Sequence, residues 1–329
     1  MLFLREADIR RVFSMNDAIA AYKKAFQIFS RGGSDVPLRT NIAAPKYEGQ
    51  MLFMPGYVEE LDCAGVKIVS VFPQNSRQGK AVVPATMLLL DATSGEVNCI
   101  LDGTYVTRLR TGAATGAATA ALARADASIG ALLGTGGQAQ AQLEAMLAVR
   151  ELTEVRLCGR DYQKTVAFAE RMRECLHLKR VTLRAVATAE EAVTGADVVT
   201  AVTTATKPVF DGRWLKPGAH VNAIGSYMPT MQEIDALTLQ RSGKIFCESK
   251  QAALAEAGDF IVPLRAGLIS AESISGDIGN LFLGRQAGRE TADEITMFKS
   301  VGMAVVDIVT AQEIYLRASE AEIGVSFSF

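Results

Sequence analysis

The spacing of apolar residues changes character along the chain. In residues 16–30, apolar side chains recur every three or four positions, which predicts an amphipathic helix. Residues 34–110 instead carry short apolar runs that are broken by Gly, Pro, Asn and Asp, a pattern typical of a lobe built mainly from β-strands. The clearest of these runs lie at 51–54, 66–72 and 87–90.

From about residue 112 onward, helical and strand patterns alternate. The small residues of GAATGAATAALARA predict a helix, which the alternating segments follow. The predicted strands are 128–133, 155–158, 181–186, 198–202, 220–224 and 244–247. The predicted helices between them are 138–149, 163–175 and the short segment AEEAV. This alternation predicts the α/β class, a doubly wound parallel sheet with helices on both faces.

The last long apolar pattern covers residues 295–319 and predicts one amphipathic helix that returns to the N-terminal lobe. Its apolar stripe consists of Val301, Ala304, Val305, Ile308, Ala311 and Tyr315. The pattern as a whole therefore predicts a β-rich lobe, an α/β domain and a final helix.

Composition excludes several classes of protein. The chain has 329 residues, of which 49% are apolar and 21% are charged, which is typical of a globular protein with room for two lobes. A formal net charge of −2 gives no general attraction to nucleic acid or to an anionic membrane. No apolar run is long enough to cross a bilayer, and the first eleven residues lack the pattern of a signal peptide, so we expect a cytoplasmic protein.

The cysteines and histidines do not predict a metal site. The five cysteines are widely spaced without a C-x-x-C pair, and we expect them to be reduced thiols. The two histidines, His177 and His220, are far apart, which argues against a histidine-rich metal site and against a Ser-His-Asp triad.

The segment GTGGQA at 134–139 has the G-x-G-x-x-A spacing of a dinucleotide-binding turn. It follows the apolar run IGALL and opens a predicted helix, which is the context that such a turn requires. Gly134 would permit the tight turn, Gly136 would let the backbone approach a pyrophosphate, and Ala139 would let the helix pack closely on the strand. The first N–H groups of the helix would then bind the phosphates. The alternative is an ordinary glycine turn.

The choice of coenzyme depends on the residues that follow the predicted strand 155–158. Arg160 could pair with the 2′-phosphate of NADP, and Asp161 could accept hydrogen bonds from the 2′-hydroxyl of NAD. Because Arg160 comes first, NADP(H) is slightly favoured, while NAD(H) stays open. Exposed charges in a turn are the alternative for both residues.

Three basic residues of the predicted β-rich lobe are candidates for binding a carboxylate. Lys67 lies inside the apolar run 64–71, where a lysine without a partner is unfavourable. Arg39 and Arg110 could each bind a carboxylate through two parallel hydrogen bonds, provided that they converge with Lys67 on one place. A surface position or an ion pair is the alternative for each of the three.

The motifs along the chain, taken together, resemble those of the ornithine cyclodeaminase/mu-crystallin family. They are MPGY at 54–57, GVKIVS at 65–70, TRLRTGAATG at 107–116, GTGGQAQ at 134–140, NAIGSYMPTMQEID at 222–235, EAGD at 256–259 and FKSVGMAVVD at 298–307. They occur in the family's order and cover nearly the whole chain. The resemblance implies a homodimer whose subunit combines two domains. A β-rich α+β substrate-binding and dimerisation domain would comprise 1–112 with 303–329, and a Rossmann domain 113–302.

The resemblance also implies the site residues. Arg39, Lys67 and Arg110 would bind the carboxylate of a small amino- or imino-acid substrate, with Met54 lining the pocket. With the glycine motif and the turn after 155–158, the candidate residues for binding NADP or NAD are Thr111, Gly134, Gly136, Gly137, Gln138, Ala139, Arg160, Asp161, Thr203, Ala223, Ile224, Gly225, Ser300 and Val301.

One candidate substrate-binding position departs from the cyclodeaminases of the family. Where these carry an aspartate after the Ala-Ile-Gly run, this chain has Tyr227, and tyrosine is a poor base at neutral pH. The segment is more similar to the family's imine reductases and amino-acid dehydrogenases. We therefore predict NAD(P)H-dependent reduction of an α-imino acid. A cyclic ketimine such as Δ1-pyrroline-2-carboxylate is favoured over the imine of a 2-oxo acid.

In the predicted reaction, Arg39 and Arg110 orient the carboxylate, while Lys67 contacts it and assists proton transfer at nitrogen. Three alternatives stay open. They are an ornithine cyclodeaminase-type lyase, a dehydratase acting on a hydroxyproline, and a non-catalytic NADPH or small-molecule binder similar to mu-crystallin.

Overall fold

The chain divides into two units. The computed structural model describes residues 1–328, residue 76 by its backbone alone. The first unit is Met1–Arg110 together with residues 303–328, and the second is Thr111–Gly302. Residue 329, which ends the predicted substrate-binding domain, lies outside the described residues.

The elements follow one another along the chain as follows. Up to residue 122 they are β1 (Leu2–Leu4), α1 (Glu6–Val12), α2 (Met15–Arg31), β2 (Ser34–Asp35), β3 (Thr40–Ala44), β4 (Gly49–Val58), β5 (Cys63–Val71), β6 (Ala85–Asp91), β7 (Val97–Asp102) and α3 (Gly103–Leu122). Then come β8 (Ile129–Leu133), α4 (Ala139–Val149), β9 (Glu154–Cys158), α5 (Tyr162–Cys175), β10 (Thr182–Ala185), α6 (Ala189–Val193), β11 (Val198–Ala201), β12 (His220–Ala223), α7 (Ala236–Arg241), β13 (Ser242–Cys247), α8 (Lys250–Glu256), α9 (Gly258–Arg265), β14 (Gly276–Asp277), α10 (Ile278–Phe282) and β15 (Ile295–Lys299). The chain closes with α11 (Ala304–Glu320) and β16 (Val325–Ser326). Short 3-10 helices lie at Pro45–Tyr47, Glu59–Leu61, Pro73–Gln78, Gly212–Trp214 and Ala271–Ser273.

The first unit contains a mixed sheet in the order β16-β1-β7-β6-β5-β4-β2, with β3 also paired to β4. All its strand pairs are antiparallel except β1 with β7. Alternate residues of β5 are buried from Cys63 onward, and α11 packs on β4, β5 and β6. This close packing requires Gly56, because a Cβ atom there would lie 2.8 Å from the side chain of Ile308. At Gly65 a Cβ atom would lie 2.8 Å from the carbonyl oxygen of Leu88.

The predicted helix 16–30 is confirmed as α2, and its ends have clear causes. The Ser14 hydroxyl accepts a hydrogen bond from the Asp17 backbone N–H, and the Asp17 carboxylate accepts one from the Ser14 backbone N–H at 2.9 Å. Gly32 ends the helix with a φ of +80°, a left-handed conformation that glycine adopts without strain. Helix α2 packs against α11 within the first unit.

Two sequence-based boundaries are wrong. Residues 103–110, expected in the β-rich lobe, form the first two turns of α3, where the Asp102 carboxylate accepts a hydrogen bond from the Tyr105 N–H at 3.0 Å. Residues 295–319, expected as one helix, are the buried strand β15 followed by α11. A short apolar run that is buried on both faces does not distinguish helix from strand by its spacing.

The second unit contains an all-parallel sheet in the order β10-β9-β8-β11-β12-β15-β13-β14. The chain starts at β8, builds outward to β10, and then returns to add β11 on the other side of β8. This reversal of strand order is typical of doubly wound dinucleotide-binding folds and creates a ligand site at the carboxyl ends of the strands. The predicted fold class is confirmed.

A chain of buried polar side chains links the middle strands of the second unit. The two ring nitrogens of His220 lie 3.0 Å from the Thr296 hydroxyl and 3.1 Å from the Asn222 amide oxygen. Asn222 donates in turn to the Thr119 hydroxyl at 3.0 Å. Burial lowers the pKa of His220 to about 3, so its ring is neutral at ordinary pH.

Candidate active site

Lys67 lies on the interior strand β5, on the buried face of the first unit's sheet. The register places it opposite Met54 on β4 and Met87 on β6, and the side chains of all three are almost fully buried. Arg39 is the residue before β3, and its positive charge acts on Lys67. A cation in this apolar row requires a partner.

That partner is Asp307, a fully buried residue in the first turn of α11. One carboxylate oxygen of Asp307 accepts a hydrogen bond from Lys67 Nζ at 2.5 Å. The other lies 2.9 Å from Nε of Arg110, in a contact that is an ion pair without hydrogen-bond alignment. The helix N-terminus adds a favourable field for the buried carboxylate.

The cluster formed by Arg39, Lys67, Arg110 and Asp307 contains three basic groups and one acidic group. Burial, and then the positive charge of Arg110, lower the pKa of Lys67 to about 7. Asp307 acts in the opposite direction, and the charge of Arg39 adds a smaller lowering. The structure therefore brings the three predicted basic residues together, with Met54 beside them. Asp307 is the one carboxylate that Lys67 and Arg110 share, which leaves this pair suited to a second, incoming carboxylate.

Asp307 is a residue that the sequence reasoning missed. It is an acidic residue among Ala304, Val305, Ile308 and Ala311, the apolar stripe of the predicted final helix. A lone acid in an apolar stripe is unfavourable unless it meets a cation, and Lys67 is the matching lone base on a strand. Matching the lone acid of the helix with the lone base of the strand would have predicted the contact between Asp307 and Lys67.

The glycine turn of the second unit has the conformation that the motif requires. Gly134 has a φ of +106°, and its N–H donates to the carbonyl of Cys158 at 2.8 Å. A Cβ atom at Gly134 would lie 2.6 Å from the carbonyl oxygen of Val202. Any larger residue would therefore be strained in conformation and blocked in space.

Beyond the turn, the start of α4 is open to a ligand. At Gly136 and Gly137 a Cβ atom would have no neighbour within 4 Å, so there is room for another molecule to approach the backbone. Gln138 occupies the N-cap position without a side-chain cap, and its buried Oε1 has no hydrogen-bond partner among the described residues. Ala139 is fully buried, as close packing of α4 requires.

Helix α3 approaches this turn within the second unit. A Cβ atom at Gly112 would lie 2.5 Å from the carbonyl oxygen of Ala141 on α4. Thr111, the preceding candidate, is buried, and the hydroxyl of Thr115 on the same helix hydrogen-bonds the side chain of Gln142. The glycine turn, the open backbone at 136–137 and the uncapped helix end fit the pyrophosphate of a dinucleotide.

The two candidates after β9 differ in what they do. Asp161 is the N-cap of α5, and its carboxylate accepts a hydrogen bond from the Lys164 N–H at 3.1 Å. Arg160 is exposed and has no ion-pair partner within the described part of the chain. Because Asp161 is already used as a cap, Arg160 is the side chain left available beside an adenosine ribose.

The remaining coenzyme candidates lie at the carboxyl ends of three neighbouring strands of the second unit. They are Thr203 after β11, Ala223, Ile224 and Gly225 at the end of β12, and Ser300 and Val301 after β15. This is the edge of the sheet at which doubly wound folds bind their ligands.

Buried carboxylates hold the backbone of these loops. Glu233, which is fully buried, accepts hydrogen bonds from the N–H groups of Thr203, Gly225 and Ser226. Glu248 likewise accepts from the N–H groups of Val301 and Gly302, at 2.9 and 2.6 Å. The sequence reasoning did not find either residue, because a backbone-binding role leaves no spacing signal.

The sequence matches the ornithine cyclodeaminase/mu-crystallin family over residues 1–322. The chain belongs to this family. The predicted resemblance is thereby confirmed.

Relatives in the family include reductases and a dehydrogenase. The chain is 39% identical over 329 residues to a Δ1-pyrroline-2-carboxylate reductase of Bacillus cereus, with both chains covered completely. The structure of the Δ1-pyrroline-2-carboxylate reductase of Thermococcus litoralis, in complex with NADH and L-proline, matches with a TM-score of 0.95 and 36% identity, covering 99% of this chain and 100% of that one. An archaeal alanine dehydrogenase dimer with bound NAD matches with a TM-score of 0.92 and 31% identity, covering 100% and 99% of the two chains.

Three further observations concern the described residues. Tyr227 is half-buried in the loop that follows β12, two residues after Gly225. Among the residues that the structure describes, no cluster of His, Cys, Asp or Glu could hold a metal ion. Within the same residues, no helix combines the length and the apolar character needed to span a membrane.

Proposed function

We propose that this chain is an NAD(P)H-dependent reductase of small α-imino acids, with Δ1-pyrroline-2-carboxylate as its favoured substrate. The observation that carries the proposal is the pairing of Lys67 and Arg110 with the single carboxylate of Asp307, with the charge of Arg39 acting on Lys67. Its excess positive charge suits the carboxylate that every α-imino acid carries. The end-to-end likeness to a Δ1-pyrroline-2-carboxylate reductase supports the same substrate.

The arginines, Lys67 and the coenzyme would have different roles in the reaction. Arg110 and Arg39 would bind and orient the substrate carboxylate, which fixes the position of the adjacent C=N group. Lys67, whose pKa is about 7, can donate a proton to the imine nitrogen at neutral pH. The bound coenzyme would supply the hydride, its pyrophosphate held at Gly136 and the start of α4.

For the coenzyme, we expect NADPH and NADH both to serve, with Arg160 favouring NADPH. Arg160 is exposed at the end of β9 and could bind a 2′-phosphate. The solved relatives hold NADH or NAD, which supports NAD(H) as a coenzyme.

A spectrophotometric screen tests the proposal. Δ1-pyrroline-2-carboxylate, other cyclic imino acids, and pyruvate with ammonia are each mixed with enzyme and NADPH or NADH, and absorbance at the nicotinamide band is followed. We expect the largest kcat/KM with the five-membered cyclic imine. Ornithine is included as a further substrate, and release of ammonia from it would favour the lyase over the reductase. Tight NADPH binding without turnover of any compound would favour a binding protein.

The dehydratase alternative has a different signature. Conversion of a hydroxyproline would need no net redox change, so product would form while the nicotinamide absorbance stayed constant. Product analysis by mass spectrometry alongside the absorbance separates the two reactions.

We further infer that the protein is a homodimer. Leu38, Ile42, Tyr47 and Tyr57 are large apolar side chains exposed on and beside β3 and β4 of the first unit. Large exposed apolar groups favour a protein partner, and because the related archaeal alanine dehydrogenase is a dimer, a second copy is the simplest one. Light scattering at micromolar concentration tests this inference, and a monomer mass would refute it.

A further inference from the structure

Asp307 does more in this cluster than neutralise a buried charge. Both of its oxygens contact cations, Lys67 Nζ at 2.5 Å and Arg110 Nε at 2.9 Å. It comes from α11 at the far end of the sequence, whereas its two partners come from β5 and α3. Because its carboxylate contacts both of these proposed substrate-binding groups, Asp307 can affect the charge and the orientation of each.

The charged groups that face Lys67 come from three elements. They are Arg110 on α3, Asp307 on α11 and Arg39 before β3, while β4 and β6 contribute the uncharged Met54 and Met87. Asp307 is the anion that pairs with Lys67. When a substrate carboxylate binds, it must share the cations with Asp307.

We propose that Asp307 is a positioning residue that favours the protonated form of Lys67 and aims it for proton delivery to the imine nitrogen, and that the negative charge of Asp307 weakens binding of the substrate carboxylate. The inference rests on the proposed imine reduction. It assigns opposite effects of one residue on kcat and on substrate affinity, which a purely structural role does not produce.

The reduction balances with Lys67 as the proton donor. The π bond of C=N breaks, the carbon gains a C–H bond from the hydride of the coenzyme, and the nitrogen gains an N–H bond from the Lys67 ammonium. The coenzyme is oxidised by two electrons and the imine is reduced by two. Lys67 is left as a neutral amine and regains its proton from solvent, while Asp307 is unchanged.

The sign of the pH effect follows from the contacts. The negative charge of Asp307 raises the pKa of Lys67 against burial and Arg110, which lower it. Removing that charge lowers the pKa of Lys67 further, so the protonated fraction at pH 7 to 8 falls. The alkaline limb of the kcat profile therefore moves to lower pH.

The test compares wild type with Asp307→Asn and with Glu313→Gln as the matched control. Glu313 lies on the same helix but pairs with Lys24 at 2.7 Å, away from the cluster. We expect Asp307→Asn to lower kcat at pH 8 by about 10- to 100-fold and to shift the alkaline limb by about one pH unit or more. Its KM for Δ1-pyrroline-2-carboxylate should hold or fall, and Asp307→Glu should restore part of the profile. Glu313→Gln should resemble wild type.

Calorimetry supplies a readout that does not depend on turnover. The probe is pyrrole-2-carboxylate, a planar carboxylate that has no C=N bond to reduce. We expect it to bind Asp307→Asn at least as tightly as wild type, and to bind wild type with proton uptake near pH 7 to 8, since a second carboxylate beside Lys67 raises its pKa.

Several outcomes would overturn the proposal. The first is an unshifted alkaline limb of the kcat profile in Asp307→Asn, and the second is weaker binding of pyrrole-2-carboxylate to that variant. The third is an absence of proton uptake when wild type binds the probe. Proton uptake by wild type can be measured even if the variant does not fold. Failure of the proposed function looks different. Wild type would then reduce none of the imino acids, while calorimetry would still show whether Asp307 weakens carboxylate binding and whether Lys67 takes up a proton.

Discussion

Lys67 carries its charge in an apolar row of the first sheet, and its nitrogen contacts a carboxylate that Arg110 also contacts. Lys67→Met keeps the size of the side chain and removes the ammonium, while Arg110 remains as a cation paired with Asp307. We expect kcat/KM for Δ1-pyrroline-2-carboxylate to fall by about 10²- to 10⁴-fold, the usual contribution of a general acid. Steady-state kinetics measures this.

Lys24→Met is the control for that variant. Lys24 is a partly exposed lysine of α2 whose pair with Glu313 should contribute little. Near-wild-type kcat/KM in Lys67→Met would remove Lys67 from the mechanism.

Arg160 is the second residue with a specific consequence. Arg160→Ala should lower kcat/KM with NADPH by about tenfold or more, because a charge-assisted hydrogen bond to the 2′-phosphate is lost, and should change little with NADH. Arg171→Ala, at an exposed arginine of α5, is the control. An equal loss with both coenzymes would show that Arg160 does not contact the 2′-phosphate.

Sequence could reveal these residues only in part. Lys67 is conspicuous because a lysine interrupts an apolar run, and Arg110 and Arg39 stand out within motifs. Their convergence depends on strand register and on a helix nearly 200 residues further along, since Asp307 follows Arg110 by 197 positions. Local spacing contains no such information, and Asp307 was missed for that reason.

Among the elements, the turn from β8 to α4 contains one glycine that we expect coenzyme binding to require and another that we expect folding to require. Gly136→Ala should leave the melting temperature within about 2 °C of wild type, because its Cβ would have no neighbour within 4 Å. It should weaken NADPH and NADH binding by about tenfold or more, because the backbone can no longer approach the pyrophosphate.

Gly134→Ala is the contrasting variant. With a φ of +106° and the Val202 carbonyl 2.6 Å from the new Cβ, it should lower the melting temperature clearly. Fluorescence titration and thermal melts on both variants check the pair. Unimpaired coenzyme binding in Gly136→Ala would contradict the assignment of this turn.

Elements whose apolar residues recur at regular spacing were predicted well. Elements whose form depends on contacts with other parts of the chain were not. Helix α2 and the strands β8 and β11 follow their apolar patterns closely. The sequence of β15 wrongly predicts a helix, because all five of its residues are buried and the pattern has no polar face. The start of α3 was missed because its cap, Asp102, ends the preceding strand.

For the whole molecule, the buried His220 predicts how stability depends on pH. Its pKa is about 3 in the folded chain and about 6.5 when unfolded, so the unfolded state binds one more proton between these values. The contribution is therefore present above pH 6.5 and is lost as the pH falls, by about 1.4 kcal/mol per pH unit.

His220→Gln should flatten this acid slope. The exposed His177 offers the matched control, and His177→Gln should keep the slope of wild type. Denaturant unfolding between pH 4 and 7 measures it. Equal slopes in wild type and His220→Gln would contradict a neutral, buried histidine.

Transfer of deuterium tests the central claim of imine reduction most directly. The enzyme is given Δ1-pyrroline-2-carboxylate with NADPH or NADH deuterated at C4 of the nicotinamide, on the face that is transferred, and the product is analysed by mass spectrometry. We predict proline that carries one deuterium at C2, formed in equal amount to the oxidised coenzyme. Unlabelled proline, or no proline while the coenzyme stays reduced, would contradict the account.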